Sequence, residues 1–291
     1  MNKRTDKCSS SSLQGNNNLL QRLLTRGAKS TAHAEFLKKY RVEQLLVRLT
    51  QLAILIAFVG FWEVGASQGW IDPLLFSKPS KIWVTFYKML MTGQLHQHII
   101  VTVTETFAGF ILGTLSGTLL AIIIWWSPFL SKVLDPYLVI LNGMPKVALG
   151  PTFIVAFGGG YGGILAMAVA ISIIITTIVV YSSFKEVDSN LIRLARSFGA
   201  VKKQIFSKIV LPASFPTIVS TLKVNVGLAW VGVIVGEFLV SKQGLGYLII
   251  YGFQVFNLTL VFVSLFIIAI CATLMYQAVS YFESRILKNR E

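Results

Sequence analysis

The sequence predicts an all-α integral membrane protein with about six transmembrane helices. Three observations lead there. Hydrophobic residues make up 54% of the chain and charged residues 13%, whereas a water-soluble domain carries about a quarter charged residues. Apolar runs long enough for a hydrocarbon core of ~30 Å recur along the chain. Lys and Arg fall between those runs with a strong bias: ten before residue 49, six in 181–216 and three after 282, against none in 157–161 and one in 241–257. Cytoplasmic segments are the ones enriched in Lys and Arg. Both ends and the 181–216 loop are therefore expected on the cytoplasmic side, and an even number of spans agrees with this. The formal net charge of +14 invites a nucleic-acid reading, but no basic surface is interleaved with aromatics as such a module needs. Cys8 and Cys271 lie in a polar tail and an apolar run, so neither a disulfide scaffold nor a thiolate metal site is expected.

Residues 1–32, rich in Ser, Asn and basic side chains, read as a disordered basic tail. No signal peptide is expected, because no apolar segment of the right kind precedes a cleavage site. Residues 33–48 set Phe36, Leu37, Tyr40 and Leu45 among Lys38, Lys39 and Arg41. That pattern fits an amphipathic helix on the cytoplasmic membrane face or a juxtamembrane anchor. The transmembrane domain follows over 49–291. Its first span covers 49–66, with Trp62 and Trp70 suited to the aromatic belt at the far end. An interfacial helix is expected over 79–97. His96 and His98, two residues apart, point to different helix faces and form no metal site.

The second span covers 99–126. Gly109, Gly113 and Gly117 recur every four residues, a spacing that lets helix backbones approach closely in lipid. Asp135 and Pro136 open the third span, to 157, which Gly143, Pro145, Gly150 and Pro151 interrupt. Broken backbone at membrane depth has to face protein or a water-filled cavity, and Lys146 beside the break either lines such a path or reaches the headgroups by its long stem. Residues 158–163 are a glycine-rich turn without the Gly-Lys-Ser/Thr of a phosphate-binding loop. The fourth span covers 164–181, the fifth 217–240 and the sixth 258–282. Lys223, Asn225, Trp230 and Glu237 lie within the fifth.

Between the fourth and fifth spans runs Asn190 to Pro216, an island of charge. Asp188, Ser189 or Asn190 can cap a helix carrying Leu191, Leu194, Ala195 and Phe198 at helical spacing, with Arg193 and Arg196 off that stripe. Gly199 stands where a left-handed helix-ending residue belongs. A second short helix would align Val201, Ile205 and Ile209, with Lys202, Lys203 and Lys208 elsewhere, until Pro212 and Pro216 stop it. Two readings fit: a basic loop on lipid headgroups, or a knob offered to a cytoplasmic partner.

The segment resembles the cytoplasmic EAA loop of binding-protein-dependent ABC importer permeases, of the form E-A-A-x-x-x-G followed by I-x-L-P. Here Arg193-Leu194-Ala195-Arg196-Ser197-Phe198-Gly199 precedes Ile209-Val210-Leu211-Pro212. Arg193 stands where the family has glutamate, and Leu194 replaces the first alanine. Pro145-Lys146-Val147-Ala148 is similar to the family's Pro-Lys-x-Ala segment. Gly236-Glu237 and Gly244-Leu245-Gly246 are similar to its Gly-Glu and Gly-Leu-Gly stretches. Glu105 departs from the basic residue common in the family. The likeness runs from Leu75 to the C-terminus and is strongest to the nitrate, sulfonate, taurine and bicarbonate branch.

The resemblance implies a type I importer permease fold with cytoplasmic coupling helices over 182–216 and no catalytic site or cofactor. It implies cytoplasmic ATPase subunits, an extracytoplasmic substrate-binding protein and a second permease copy as partners, with lipid around them. Arg193, Leu194, Ala195, Arg196, Phe198 and Gly199 would couple to the ATPase. Pro145, Lys146, Asn225, Trp230 and Glu237 are the candidates for the translocation pathway. The implied cargo is a sulfonate, taurine or nitrate-like anion; a thiamine pyrimidine precursor is the alternative. An ion-gradient-driven secondary transporter would carry paired broken helices in inverted repeats, and one broken segment is found. A membrane enzyme would need clustered acids, His or Ser at one interface, and the acids here are scattered.

Overall fold

The computed structural model describes residues 31–288, and every described long element is a helix. The expected tail lies outside the described residues except for its last two positions, which already belong to helix α1 (Thr31–Ser67). The chain divides into two compact units, residues 1–71 and 72–291.

In the first unit, α1 runs uninterrupted for 37 residues, about 55 Å at 1.5 Å per residue. One continuous helix thus contains both the basic segment of 33–48 and the first span. Its apolar half stands exposed, with Ile54 and Phe58 both above 60%. At its end the chain folds back, and the Ile71 N–H donates to the Gly65 carbonyl at 3.1 Å.

The second unit begins with α2 (Pro73–Phe76), capped by Asp72, whose carboxylate accepts from the Leu74 N–H at 2.8 Å. Helix α3 (Pro79–Met91) is followed by Gly93 in left-handed geometry, φ +74°. That turn separates α3 from α4 (Gln94–Trp126), so His96 and His98 open a spanning helix rather than close an interfacial one. Helix α5 (Pro128–Gly143) starts before Pro136, because Ser127 caps it. A 3-10 turn (Lys146–Leu149) and α6 (Gly150–Phe157) follow, bent 95° away from α5. The third span is therefore broken where Gly143 and Pro145 predicted. After α7 (Tyr161–Lys185) come the two short helices α8 (Ser189–Ser197) and α9 (Lys202–Ile205).

Pro212 and Pro216 do not stop α9. A π turn (Phe206–Val210) carries it into α10 (Leu211–Val240). The Leu211 N–H reaches back five residues to the Phe206 carbonyl. The widened turn takes up the register lost where Pro212 has no N–H to give. Helices α11 (Leu245–Gln254) and α12 (Leu258–Lys288) complete the unit. With the broken pair counted once and α1 included, six segments among the described residues are long and apolar enough to cross a membrane.

The centre of this unit is α4, α7 and α10. Helix α4 buries Gly109, Gly113, Gly117, Thr102, Thr106 and Thr114, while Leu112, Leu115 and Leu119 stand 48%, 64% and 58% exposed. A helix in water would bury the leucines. In lipid the drive is close packing, and small residues allow it. A Cβ added at Gly109, Gly113 or Gly117 would lie 2.6, 2.6 and 2.5 Å from the Cβ of Ala168, Ser172 and Thr176, one α7 rung each. The approach also lets the Thr177 hydroxyl donate to the Gly117 carbonyl at 3.1 Å. Gly232 and Gly236 of α10 meet the α7 backbone at Ala168 and Ile164 in the same way. Gly113→Val is expected to overpack this seam at a cost of about 1–3 kcal/mol, read as a lower thermal midpoint of the detergent-purified protein.

Candidate functional site

The α8–α9 knob gathers the predicted coupling residues, and the junction of α4, α10 and α11 holds one pathway candidate, Glu237. The knob begins with Asp188, whose carboxylate accepts from the Asn190 N–H at 2.8 Å. It ends at Gly199, φ +78°. The Ala200 N–H donates to the Ala195 carbonyl at 3.0 Å, and the Gly199 N–H to the Arg196 carbonyl at 2.9 Å. This double bond pattern around a left-handed residue closes the orphan carbonyls of the last turn. No atom lies within 4 Å of the place a Gly199 Cβ would occupy. Within this chain Gly199 therefore serves the turn and not a tight contact.

The knob is pinned to the bundle from one side. Ile192, Ala195 and Ala200 pack on a buried cluster that includes Ala121, Tyr181, Phe184, Ile205 and Phe206. The Phe206 ring lies 4.9 Å from Trp125 and 5.5 Å from Phe184. Lys202 Nζ donates to the Trp126 carbonyl at 2.6 Å, satisfying the C-terminal end of α4. The opposite side of α8 is unpartnered. Leu191, Leu194 and Phe198 are 50%, 55% and 83% exposed, and Arg193 and Arg196 are exposed beside them. Of the six residues proposed for docking, Ala195 thus faces the bundle, and the others are open. Val201, ahead of α9, is exposed too, and after Ile205 it is Val210 rather than Ile209 that is fully buried, because the π turn between them shifts the face that a plain helical spacing predicts.

The pathway candidates do not converge. Pro145 sits at the bend between α5 and α6, and Lys146 Nζ donates to the Asn142 carbonyl at 3.0 Å, at the end of α5. Asn225 is fully buried. Its amide donates to Thr114 Oγ1 at 2.9 Å and accepts from the Thr176 hydroxyl at 3.0 Å, so it ties α10 to α4 and α7. Trp230 is buried among Phe110, Val226 and Ala229, and its Nε1 has no hydrogen-bond partner. Lys223, the other basic residue of this span, pairs with Glu283 of α12 at 2.7 Å.

Glu237 is 1% exposed and explains two motifs at once. A helix start leaves its first N–H groups without partners. At α11 they are met by side chains of other helices. The Gly244 N–H donates to His98 Nδ1 at 3.0 Å, the Leu245 N–H to Thr102 Oγ1 at 2.7 Å, and the Gly246 N–H to Glu237 Oε2. The Tyr247 N–H also points at the Glu237 carboxylate. The Thr102 hydroxyl in turn donates to Glu237 Oε1 at 2.6 Å. Gly244 and Gly246 are glycines because the carboxylate fills the space: a Cβ there would lie 2.3 Å from Glu237 Oε1 and 2.8 Å from Oε2. Helix α11 occupies a segment, 241–257, for which no helix is expected from the sequence. The signal was present, since the buried Leu245, Leu248, Ile249 and Gly252 are spaced i, i+3, i+4, i+7.

Comparison with known proteins gives three findings. Residues 109–288 match the model of a family described as binding-protein-dependent transport system inner membrane component. Among curated relatives, a Bacillus subtilis permease protein provisionally named for aliphatic sulfonates transport is 27% identical over 91% of this chain and 96% of its own. The formylaminopyrimidine transport permease protein of Halalkalibacterium halodurans is 27% identical over 79% of this chain and 91% of its own. Among solved structures, a bacterial ABC transporter involved in import of the acidic polysaccharide alginate matches with a TM-score of 0.59 at 16% identity, over 84% of this chain and 99% of that one. That likeness concerns the fold.

Proposed function

Since the chain belongs to the family of binding-protein-dependent transport system inner membrane components, permease subunits that work with a separate ATPase and a substrate-binding protein, we propose that it imports a small anion of the sulfonate, taurine or nitrate type and that α8 is its grip for the ATPase. The observation that supports the grip is the two-sidedness of α8. Ile192, Ala195 and Ala200 hold it to the bundle, and Leu191, Leu194 and Phe198 are left outside between Arg and Lys residues that keep the knob out of the hydrocarbon core. A rigid, capped helix with a free apolar face fits a groove in another protein. Arg193 occupies the family's glutamate position, and no carboxylate of the described residues pairs with it, so it is free to meet an acidic group on the ATPase.

Both ends of the chain then lie in the cytoplasm, and two copies of the permease stand side by side. The bend at Pro145 and Lys146 is the segment assigned to the translocation path. Asn225, Trp230 and Glu237 hold the helices around it. ATP-driven closure of the ATPase pair would move α8 and rock the bundle between inward-open and outward-open states. The sulfonate-named relative supports an anionic cargo. The formylaminopyrimidine permease supports a neutral pyrimidine as the second reading.

The test is co-purification with the ATPase and binding protein, reconstitution in vesicles and assay of ATP hydrolysis. Hydrolysis rising with an alkanesulfonate, taurine or nitrate is the expected result. Stimulation by a formylaminopyrimidine alone would replace the cargo reading, and failure of the ATPase to bind would remove the grip.

A further inference from the structure

The carboxyl group that anchors α11 has a second acid against it. Glu105 of α4, 4% exposed, stands one helical turn from Thr102, whose hydroxyl bonds Glu237 Oε1 at 2.6 Å, and this brings its carboxyl beside that of Glu237. The pair lies within the packed unit, with α7 contributing Ile164 and Ala168 to the neighbouring helix contacts. Two ionised carboxylates in contact and out of water would repel strongly, and each would lack its hydration. Among the described residues no Lys or Arg is in salt-bridge reach of either. The other titratable groups at the junction are His98 and Tyr247, whose rings stack at 6.1 Å. His98 accepts the Gly244 N–H on Nδ1, so that nitrogen carries no proton and the ring is neutral. On the α10 side the charged residue Lys223 is already taken by Glu283.

The hydrogen bonds decide which acid is ionised. Glu237 accepts from the Thr102 hydroxyl, the Gly246 N–H and the Tyr247 N–H. Every one of these groups is a donor, and the N-terminus of α11 adds its partial positive charge. Glu237 is therefore the acceptor and the anion. Glu105 has the opposite surroundings: its Oε2 is buried without any partner. An unpartnered oxygen of a buried carboxylate anion is far more costly than the carbonyl oxygen of a neutral acid.

We propose that Glu105 and Glu237 together hold one proton, carried on Glu105 and donated to Glu237, and that this proton is the ligand that completes the junction of α4, α10 and α11. The site is a proton-binding site inside a membrane bundle, built from residues 132 positions apart (237 minus 105). It exists because this chain has an acid at 105. A basic residue there would form an ordinary ion pair with Glu237 and need no proton.

Infrared spectroscopy of the purified chain in lipid nanodiscs at neutral pH tests it. The wild type should show a protonated-carboxyl C=O band that moves to lower frequency in D2O. Glu105→Gln, whose amide N–H still donates to Glu237, should lose the equivalent of one carboxyl per chain from that band. A wild-type spectrum with no such band overturns the proposal, whether or not the variant folds. So does a band that survives Glu105→Gln unchanged.

Discussion

Phe198→Asp is expected to abolish uptake while leaving the protein folded and in the membrane. The side chain is 83% exposed, so its removal takes little from the bundle. Under the proposed docking role its value is to the ATPase. Burying an aromatic of this size in a groove is worth about 1.5–3 kcal/mol, and a carboxylate in its place adds a desolvation cost. A central apolar anchor lost in this way weakens docking by 2 kcal/mol or more, about 30-fold or greater. Co-purification with the ATPase should fall accordingly, and hydrolysis should cease to respond to cargo. Leu194→Asp should act alike. Gly199→Trp acts through the backbone as well. At φ +78° an L-residue costs about 1–2 kcal/mol, and the indole would stand on the open side of the knob. Normal ATPase binding and uptake in Phe198→Asp and Gly199→Trp would remove α8 from the coupling step.

The second large effect is expected at Gly244→Ala, and it is an effect on stability. The added methyl would lie 2.3 Å from Glu237 Oε1, at a residue with φ +107°. It cannot be relieved by moving Glu237 without breaking the bonds from Thr102 and Gly246. Backbone strain of about 1–3 kcal/mol adds to the loss of hydrogen bonds at a buried acceptor, about 1–3 kcal/mol. A total of several kcal/mol is a large share of what holds a domain together. Thermal unfolding in detergent should show a drop of many degrees. Gly227→Ala is the control. Its Cβ would meet nothing within 4 Å and its backbone is helical, so the same single methyl should be neutral or stabilise by about 0.5–1 kcal/mol. Equal midpoints for the two variants would mean that the Glu237 cradle is not a fixed part of the fold.

What could be read in advance and what could not divides along physical lines. The four-residue glycine ladder of α4, the break at Gly143 and Pro145, and the left-handed Gly199 are local signals. Each states a backbone need that one or two residue types satisfy, and each was legible. The continuation of α9 into α10 was not, because a proline forbids one hydrogen bond and leaves open whether a π turn absorbs the loss. The anchoring of α11 by His98, Thr102 and Glu237 was not either. It depends on which helices lie side by side, and the 143 positions between Thr102 and Leu245 leave no periodic trace. Asn225 was legible as a polar group in need of a partner, but Thr114 and Thr176 as that partner were not.

The dressing of α4, with glycine and threonine inside and leucine outside, inverts the usual map of mutational tolerance. In a protein surrounded by water, bulky aliphatic side chains are the positions least open to replacement and surface ones the most. Here Leu112, Leu115 and Leu119 are exchangeable for any greasy residue of similar length, since fluid acyl chains accommodate each shape. The smallest residues, which offer no side chain to recognise, are the ones where a single extra carbon is refused. Substitutions in relatives should therefore accumulate on the large residues of this helix and spare the tiny ones.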